Sequence, residues 1–133
     1  MSRSVARDKV FKLVFEYIFT KEIDEDLLND YLSENEVADE AEYVKRVYYG
    51  VKDNFDYLYE KINNLSVGFA ANRIYKIDLA IMLVAAYEME FIDGIPAKVS
   101  INEACNLAKV YSTEKSVGFV NAILAKVKNE CKA

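Results

Sequence analysis

The stretch IDLAIMLVAAYEME, residues 77–90, is apolar on almost every side when it is placed on a helix. A helix that is hydrophobic all round belongs in the interior of a protein. Asp78 and Glu88 interrupt the apolar run, which is therefore too short and too charged to span a membrane. We predict a central buried helix here, around which the rest of the chain packs.

The segments on either side of this stretch show helical periodicity. Apolar residues recur at three- and four-residue spacing, and no strand-like alternation or internal repeat of useful length is present. Two pairs with the spacing of a capping box, Asp39 with Glu42 and Ser100 with Glu103, predict helix starts. The predicted helices cover residues 4–19, a short segment from about residue 24, a long segment from residue 39 to about 62, residues 100–111, and a last segment from about residue 113.

Length and composition agree with one all-α domain over residues 1–133. A chain of 133 residues with 53% hydrophobic residues can bury a core, and its length fits a single domain. With one proline and four glycines it has few turn signals. The first residues carry no apolar signal-peptide core, and the two cysteines form no CxxC pair, so we expect a cytoplasmic protein that does not enter a membrane.

The absence of histidine argues against catalysis. Histidine is the usual neutral-pH general base and a common zinc ligand, and this chain has none. Asp78 and Glu88 stand ten residues apart, roughly three helical turns, and cannot share a proton as a catalytic pair. We therefore predict no catalytic residues, no metal site and no cofactor, with Cys105 as a small core side chain.

Charge is distributed unevenly along the chain. Residues 22–42 hold ten acids and no base, a pattern typical of a solvated acidic face. Because the whole chain carries -5 and this segment carries -10, the remainder carries +5. The global acidity therefore does not exclude a basic surface that binds nucleic acid.

Two regions could form such a surface. Arg3 and Arg7 lie four residues apart on the first predicted helix, so both guanidinium groups are expected on one side, where they could clamp neighbouring phosphates. Residues 109–132 add five lysines against two glutamates. Most aromatic residues sit at core spacing and are expected to be structural.

Taken in order, several motifs resemble those of the NusB family of bacterial transcription antitermination factors, across nearly the whole chain. Each is short, and their order and spacing together carry the resemblance. They are Ala6-Arg7 before an amphipathic helix, Phe69 with Arg73 and Asp78 before the apolar helix, Ala86-Tyr87-Glu88-Met89, Ile95-Pro96, residues 99–104 with Leu107-Ala108-Lys109, and Ser116 followed by Phe119-Val120-Asn121.

This resemblance implies a compact all-helical domain of two packed bundles. It also implies binding of single-stranded boxA RNA in nascent ribosomal transcripts, together with the ribosomal protein NusE, which promotes processive elongation by RNA polymerase. The family's RNA-binding positions would be Arg3, Arg7, Phe15 and Phe119 here, and Asp78 would occupy an acidic position that faces NusE. The family's N-terminus is often richer in arginine, and Ser4 and Val5 stand where further arginines could be.

The leading hypothesis is thus a non-enzymatic RNA-binding adaptor, with RNA polymerase as an indirect partner. The main alternative is a helical protein-protein interaction module that does not bind RNA. The RNA-binding front domain of a methyltransferase is less favoured, since no cofactor domain follows in this sequence. A hydrolase is least favoured, for want of a nucleophile and base.

Overall fold

The computed structural model describes residues 2–67 and 74–131, and within these ranges the secondary structure is entirely α-helical. In chain order the helices are α1 (Ser2–Thr20), α2 (Glu25–Leu32), α3 (Asn35–Ala38), α4 (Ala41–Asp53), α5 (Phe55–Leu65), α6 (Lys76–Phe91), α7 (Ala97–Tyr111) and α8 (Glu114–Cys131). None of the described helices is both long and apolar enough to cross a membrane. Phe69 and Arg73, which contribute to the family resemblance, lie outside the described residues.

The central helix predicted from residues 77–90 is confirmed as α6. All its residues from 78 to 88 are buried. It packs against α1, α4, α5, α7 and α8, and the other helices contact one another mainly within two groups, α1 to α4 and α5 with α7 and α8. The fold is therefore two helical bundles that share α6, as the resemblance implied.

The long third helix predicted from residue 39 to about 62 is wrong, because the chain breaks at Asn54. The Asn54 side-chain amide donates a 2.8 Å hydrogen bond to the carbonyl oxygen of Gly50, and its backbone N–H donates to the same oxygen at 3.0 Å. An asparagine side chain that bonds the backbone in this way competes with helix continuation. Asn54 therefore ends α4 and precedes α5.

Both predicted capping boxes are also wrong, although the helices themselves exist. Asp39 follows the end of α3, and Glu40, which precedes α4, makes no capping hydrogen bond through its side chain. Ser100 lies inside α7, which begins directly after Pro96. Proline needs no N–H partner and suits a helix start, so α7 begins earlier than the serine. The helix start predicted near Asp24 is confirmed, and its carboxylate accepts from the Leu27 N–H at 3.0 Å.

Helices α4 and α6 approach closely at Gly50. A Cβ placed there would lie 2.3 Å from ring atoms of Tyr87. The Tyr87 side chain is buried and stacks on Phe91, with ring centroids 5.0 Å apart. The missing side chain at Gly50 is what makes room for that ring.

Candidate functional site

A buried ion pair joins the first helix to the central one. Arg7 is 4% exposed, and its Nε and Nη2 atoms donate to the two carboxylate oxygens of Glu88 at 2.7 and 3.0 Å. The Tyr43 hydroxyl also donates to Glu88 Oε2, and the Ser100 hydroxyl donates to Oε1 at 2.7 Å. One carboxylate thus connects α1, α4, α6 and α7.

Electrostatics hold Arg7 and Tyr43 each in one protonation state. Burial lowers the pKa of Arg7, but the hydrogen bond to Glu88 and the nearby negative charge outweigh burial and raise the pKa above its usual value. Burial raises the pKa of Tyr43, and the adjacent Glu88 carboxylate raises it further. Arg7 therefore remains charged and Tyr43 remains neutral at physiological pH.

The expectation that Arg7 projects beside Arg3 to clamp phosphates does not agree with this geometry. The Arg7 guanidinium is enclosed, and Glu88 occupies its hydrogen-bonding fork. Releasing it to bind a phosphate would leave the Glu88 charge buried without its countercharge, which is strongly unfavourable. The geometry therefore assigns Arg7 to the interior.

Arg3 lies at the surface one helical turn before Arg7. Its side chain is 38% exposed, and its Nε and Nη2 atoms donate to Glu40 Oε1 at 3.0 and 2.8 Å. Its guanidinium lies 4.2 Å from the centre of the Tyr43 ring, in the geometry of a cation–π contact. The face of the Tyr43 ring therefore supports the Arg3 guanidinium, and the Tyr43 hydroxyl is held by its hydrogen bond to Glu88.

The acidic segment 22–42 packs against this helix. Besides Glu40 on Arg3, Glu34 lies 3.6 Å from the Lys9 ammonium, which also sits 5.1 Å above the Tyr31 ring. Lys12 pairs with Asp8 of its own helix at 3.1 Å. The prediction of a purely solvated acidic face is thus wrong in part, because two of its acids neutralise cations of α1.

Phe15 belongs to a row of aromatic rings along α1. It is half-buried, 6.4 Å from the Phe11 ring and 5.2 Å from the Phe19 ring, and Phe19 is 61% exposed. Phe11 in turn packs against Tyr111 at the end of α7, 5.0 Å away. The row leads from the α1–α7 contact out to the surface.

Phe119 lies on another part of the molecule, half-buried on α8. On α7, Cys105 Sγ lies 4.0 Å from the carbonyl oxygen of Val117 and 3.9 Å from Asn121 Oδ1, two residues before and two after Phe119. Cys105 is half-buried at this contact, so its predicted place in the core is only partly correct. Burial raises the pKa of its thiol, which opposes thiolate chemistry.

Asp78 lies in the interior, contrary to the surface position that a direct partner contact would need. It is 2% exposed and accepts hydrogen bonds at 2.7 Å from the hydroxyls of both Ser112 and Ser116. These bonds tie the first turn of α6 to the turn that leads into α8. Asp78 thus fixes the position of α8 and of the surface that α8 carries.

No reactive group is assembled among these side chains. Asp78 and Glu88 each bond their own separate partners, as their spacing indicated. Within the described ranges, no three histidine, cysteine or acidic side chains are grouped so that they could hold a metal ion. The arrangement consists of surface cations and aromatic rings on a rigid helical frame, which is suited to binding.

The sequence of this chain is similar to those of known proteins. A sequence model described as the NusB family matches residues 4–129. The transcription antitermination protein NusB of Agathobacter rectalis is 42% identical over 130 residues, which cover 95% of this chain and 98% of that protein. Its counterpart in Clostridium acetobutylicum is 38% identical over 130 residues, covering 97% and 96%.

Solved structures agree in fold. The chain is similar to NusB of T. maritima, with a TM-score of 0.85 and 33% identity, over 96% of this chain and 91% of that one. NusB from Aquifex aeolicus superposes with a TM-score of 0.78 at 20% identity, over 97% and 88%, and this second likeness concerns the fold alone.

Proposed function

The chain belongs to the NusB family, whose members are non-enzymatic transcription antitermination factors, and from that premise we propose that it binds boxA-type single-stranded RNA together with NusE. The complex would form on nascent ribosomal transcripts in the cytoplasm. It would act on RNA polymerase indirectly, by promoting processive elongation.

The observation that carries the proposal is the placement of Arg3. A guanidinium at the first turn of α1 is held on the Tyr43 ring with more than a third of its side chain exposed. Its contact with Glu40 is a partly exposed ion pair, a class worth at most about 1 kcal/mol, so an RNA phosphate can displace the glutamate. Arginine forks suit phosphate geometry well.

The aromatic residues supply the second half of the binding chemistry. Proteins recognise single-stranded RNA by stacking unpaired bases on aromatic rings while cations neutralise the backbone. Phe119 on α8 and Phe15 in the α1 row are the rings we propose for this role. Arg7 takes part as a positioning residue, because its pairing with Glu88 anchors the Tyr43 ring that supports Arg3.

Asp78 has an indirect role in the proposal, because it helps to set the position of α8. Its two serine hydrogen bonds set the turn before α8, so NusE would meet a surface that Asp78 organises from within.

A gel shift with a boxA-like RNA, in the presence and absence of NusE, tests the function. We expect binding that NusE strengthens and that weakens as salt rises, with a slope of log affinity against log salt of about -0.7 for each phosphate contacted. Phe119→Ala should weaken binding by about 1 to 3 kcal/mol if a base stacks there. Absence of RNA binding with NusE present would contradict the proposal.

The alternative of a protein-protein module has one observation in its favour. All four basic side chains of α1 lie within 4.0 Å of a carboxylate, which reduces the positive field of that helix. NusE binding that persists without any RNA binding in the same assay would support this alternative.

A further inference from the structure

We propose that the exposed ridge of α7, formed by Lys98, Asn102, Asn106 and Lys109, is a second contact surface for the same RNA, with its lysines on phosphates and its amides on base edges. This inference rests on the proposed function and assigns RNA contacts to residues outside α1 and Phe119.

The ridge follows from how α7 is buried. Ser100, Ala104 and Ala108 recur every four residues and form the inner side of the helix. The four ridge residues recur at spacings of four, four and three on the outer side, and all are exposed. At about 1.5 Å of rise per residue the ridge is roughly 16 Å long.

The ridge lysines differ from the cations of α1 in having no acid beside them. Among the described residues, no carboxylate oxygen lies within 4.0 Å of the Lys98 or Lys109 ammonium, whereas every cation of α1 has such a neighbour. The acid of α7 itself, Glu103, turns toward α1, where it accepts from the Ser4 hydroxyl at 3.2 Å and lies 3.9 Å from Arg7. Unlike the cations of α1, the two ridge lysines of α7 are therefore not compensated by a neighbouring carboxylate within the described part of the chain.

The ridge also lies beside the α1 part of the proposed site. Asn106 lines a groove of about 330 Å³ whose opposite wall is formed by Ser4, Val5 and Asp8 of α1. On the other side of α7, Cys105 contacts Val117 and Asn121 of α8. A strand bound at Arg3 would reach the ridge by crossing the groove that Asn106 lines.

The chemistry of the ridge matches a nucleic acid better than a protein partner. Lysine ammonium groups neutralise phosphates, and asparagine amides can donate to and accept from base edges. The four ridge positions hold no aliphatic or aromatic side chain, and the exposed valines next to them, Val99 and Val110, are far apart on the helix and form no continuous apolar patch of the kind that the centre of a protein interface supplies.

The test compares two variants with equal loss of charge. Lys98→Gln with Lys109→Gln removes two cations from the ridge, and Lys45→Gln with Lys52→Gln removes two exposed cations from α4. The RNA is boxA-like, NusE is present, and the slope of log affinity against log salt is measured for each. We expect the ridge variant to lose about 1.4 from the magnitude of the slope, at about 0.7 per contact, and the α4 variant to keep the wild-type slope.

A second variant examines base contacts. Asn102→Ala with Asn106→Ala should leave the salt slope unchanged and reduce the preference for boxA-like RNA over an unrelated strand of equal length. If the wild type binds and the ridge variants keep its slope and its preference, the ridge assignment is overturned while the proposed function stands. The same holds if the α4 variant loses as much slope as the lysine ridge variant. If the wild type itself does not bind, the proposed function fails first.

Discussion

At the scale of single residues, Glu88 is the best-connected polar group of the interior. Its carboxylate is fully buried and accepts from Arg7, Tyr43 and Ser100, so each oxygen is satisfied and the charge is paired. A buried ion pair of this kind contributes little net stability against an apolar substitute, but removing one partner leaves an uncompensated charge. The cluster therefore holds the relative position of four helices.

We predict that Glu88→Gln destabilises the protein by about 3 to 5 kcal/mol, because Arg7 keeps its charge and loses its countercharge. Urea unfolding followed by far-UV circular dichroism measures this. The matched control is Glu90→Gln on the same helix. Glu90 pairs with Lys61 at 2.9 Å and accepts from the Tyr57 hydroxyl at 2.7 Å, but it is less buried than Glu88, so the loss there should be smaller than at Glu88. Equal losses in the two variants would contradict the role given to Glu88.

For Arg3 and Arg7, one part of the geometry of the site can be predicted from the sequence and another part cannot. Their spacing correctly places both on one side of α1, and both guanidiniums lie over the Tyr43 ring, at 4.2 and 5.7 Å. Periodicity cannot tell which of the two is buried, because that depends on Glu88, a partner 81 positions away in the chain. The burial of Asp78 was missed for the same reason, since its two serine partners come from a distant turn.

At the scale of helices, the acidic segment restrains the cations it covers. Glu40 and Glu34 reach from the α2–α4 region to Arg3 and Lys9, so an RNA phosphate must compete with two carboxylates. Two of the ten acids of this segment are thus paired with cations of α1, so the segment can lie beside a surface proposed to bind RNA.

We predict that Glu34→Gln combined with Glu40→Gln strengthens binding of a boxA-like RNA about fivefold, the equivalent of about 1 kcal/mol for releasing two partly exposed ion pairs. Fluorescence anisotropy with labelled RNA at low salt measures the effect. Glu36→Gln combined with Asp39→Asn changes the net charge equally at exposed positions and should have a smaller effect. A similar gain in both variants would show that total charge, and not pairing with α1, controls affinity.

The contact between α4 and α6 supplies another prediction. Gly50→Ala should destabilise the protein, because its Cβ would overlap the buried Tyr87 ring at a cost of about 1 to 3 kcal/mol, beyond the gain of up to about 1 kcal/mol in helix propensity. Gly118→Ala on α8 meets nothing within 4 Å and should stabilise by about 0.5 to 1 kcal/mol. Thermal unfolding of the two variants checks the opposite signs, and a gain at both positions would refute the close approach.

Most of the helices were predictable from the sequence, but α3, the break between α4 and α5 and several helix ends were not. The apolar spacing of α1 and α8 and the continuous apolar run of α6 are local signals, and the structure confirms all three helices. The ends depend on single hydrogen bonds. The Asn54 amide bonds Gly50 and splits the expected long helix, and the Ser100 hydroxyl bonds Glu88 in the core instead of capping α7. The residue type is the same in either role, so only the tertiary contacts determine whether a polar side chain ends a helix or bonds a partner in the core.

At the scale of the whole molecule, the net charge of -5 averages over surfaces with different partners. Two acids of the acidic segment pair with cations of α1. Among the described residues, no carboxylate lies beside the lysines of the α7 ridge. Affinity for a polyanion depends on these local arrangements and on salt, and the sign of the total charge is a poor guide to it.

The shared helix α6 implies that the two bundles unfold together. Because α6 packs against α1 and α4 of one bundle and against α5, α7 and α8 of the other, loss of either bundle would expose part of a helix that is apolar all round. The exposed side chains would include fully buried residues such as Met82 and Leu83. Neither bundle therefore has a complete core of its own, and a single cooperative transition is expected.

We predict that far-UV circular dichroism, which follows the helices, and near-UV circular dichroism, which follows the ten tyrosines, give coincident urea transitions. Leu83→Ala should lower stability by about 2 to 5 kcal/mol and move both transitions by the same amount, since the cavity weakens the helix that both bundles use. Two separate transitions, or a shift confined to one signal, would mean that the bundles fold independently. Coincidence would instead support the prediction of one domain over residues 1–133, because loss of packing at one central side chain would then destabilise the cores on both sides of α6.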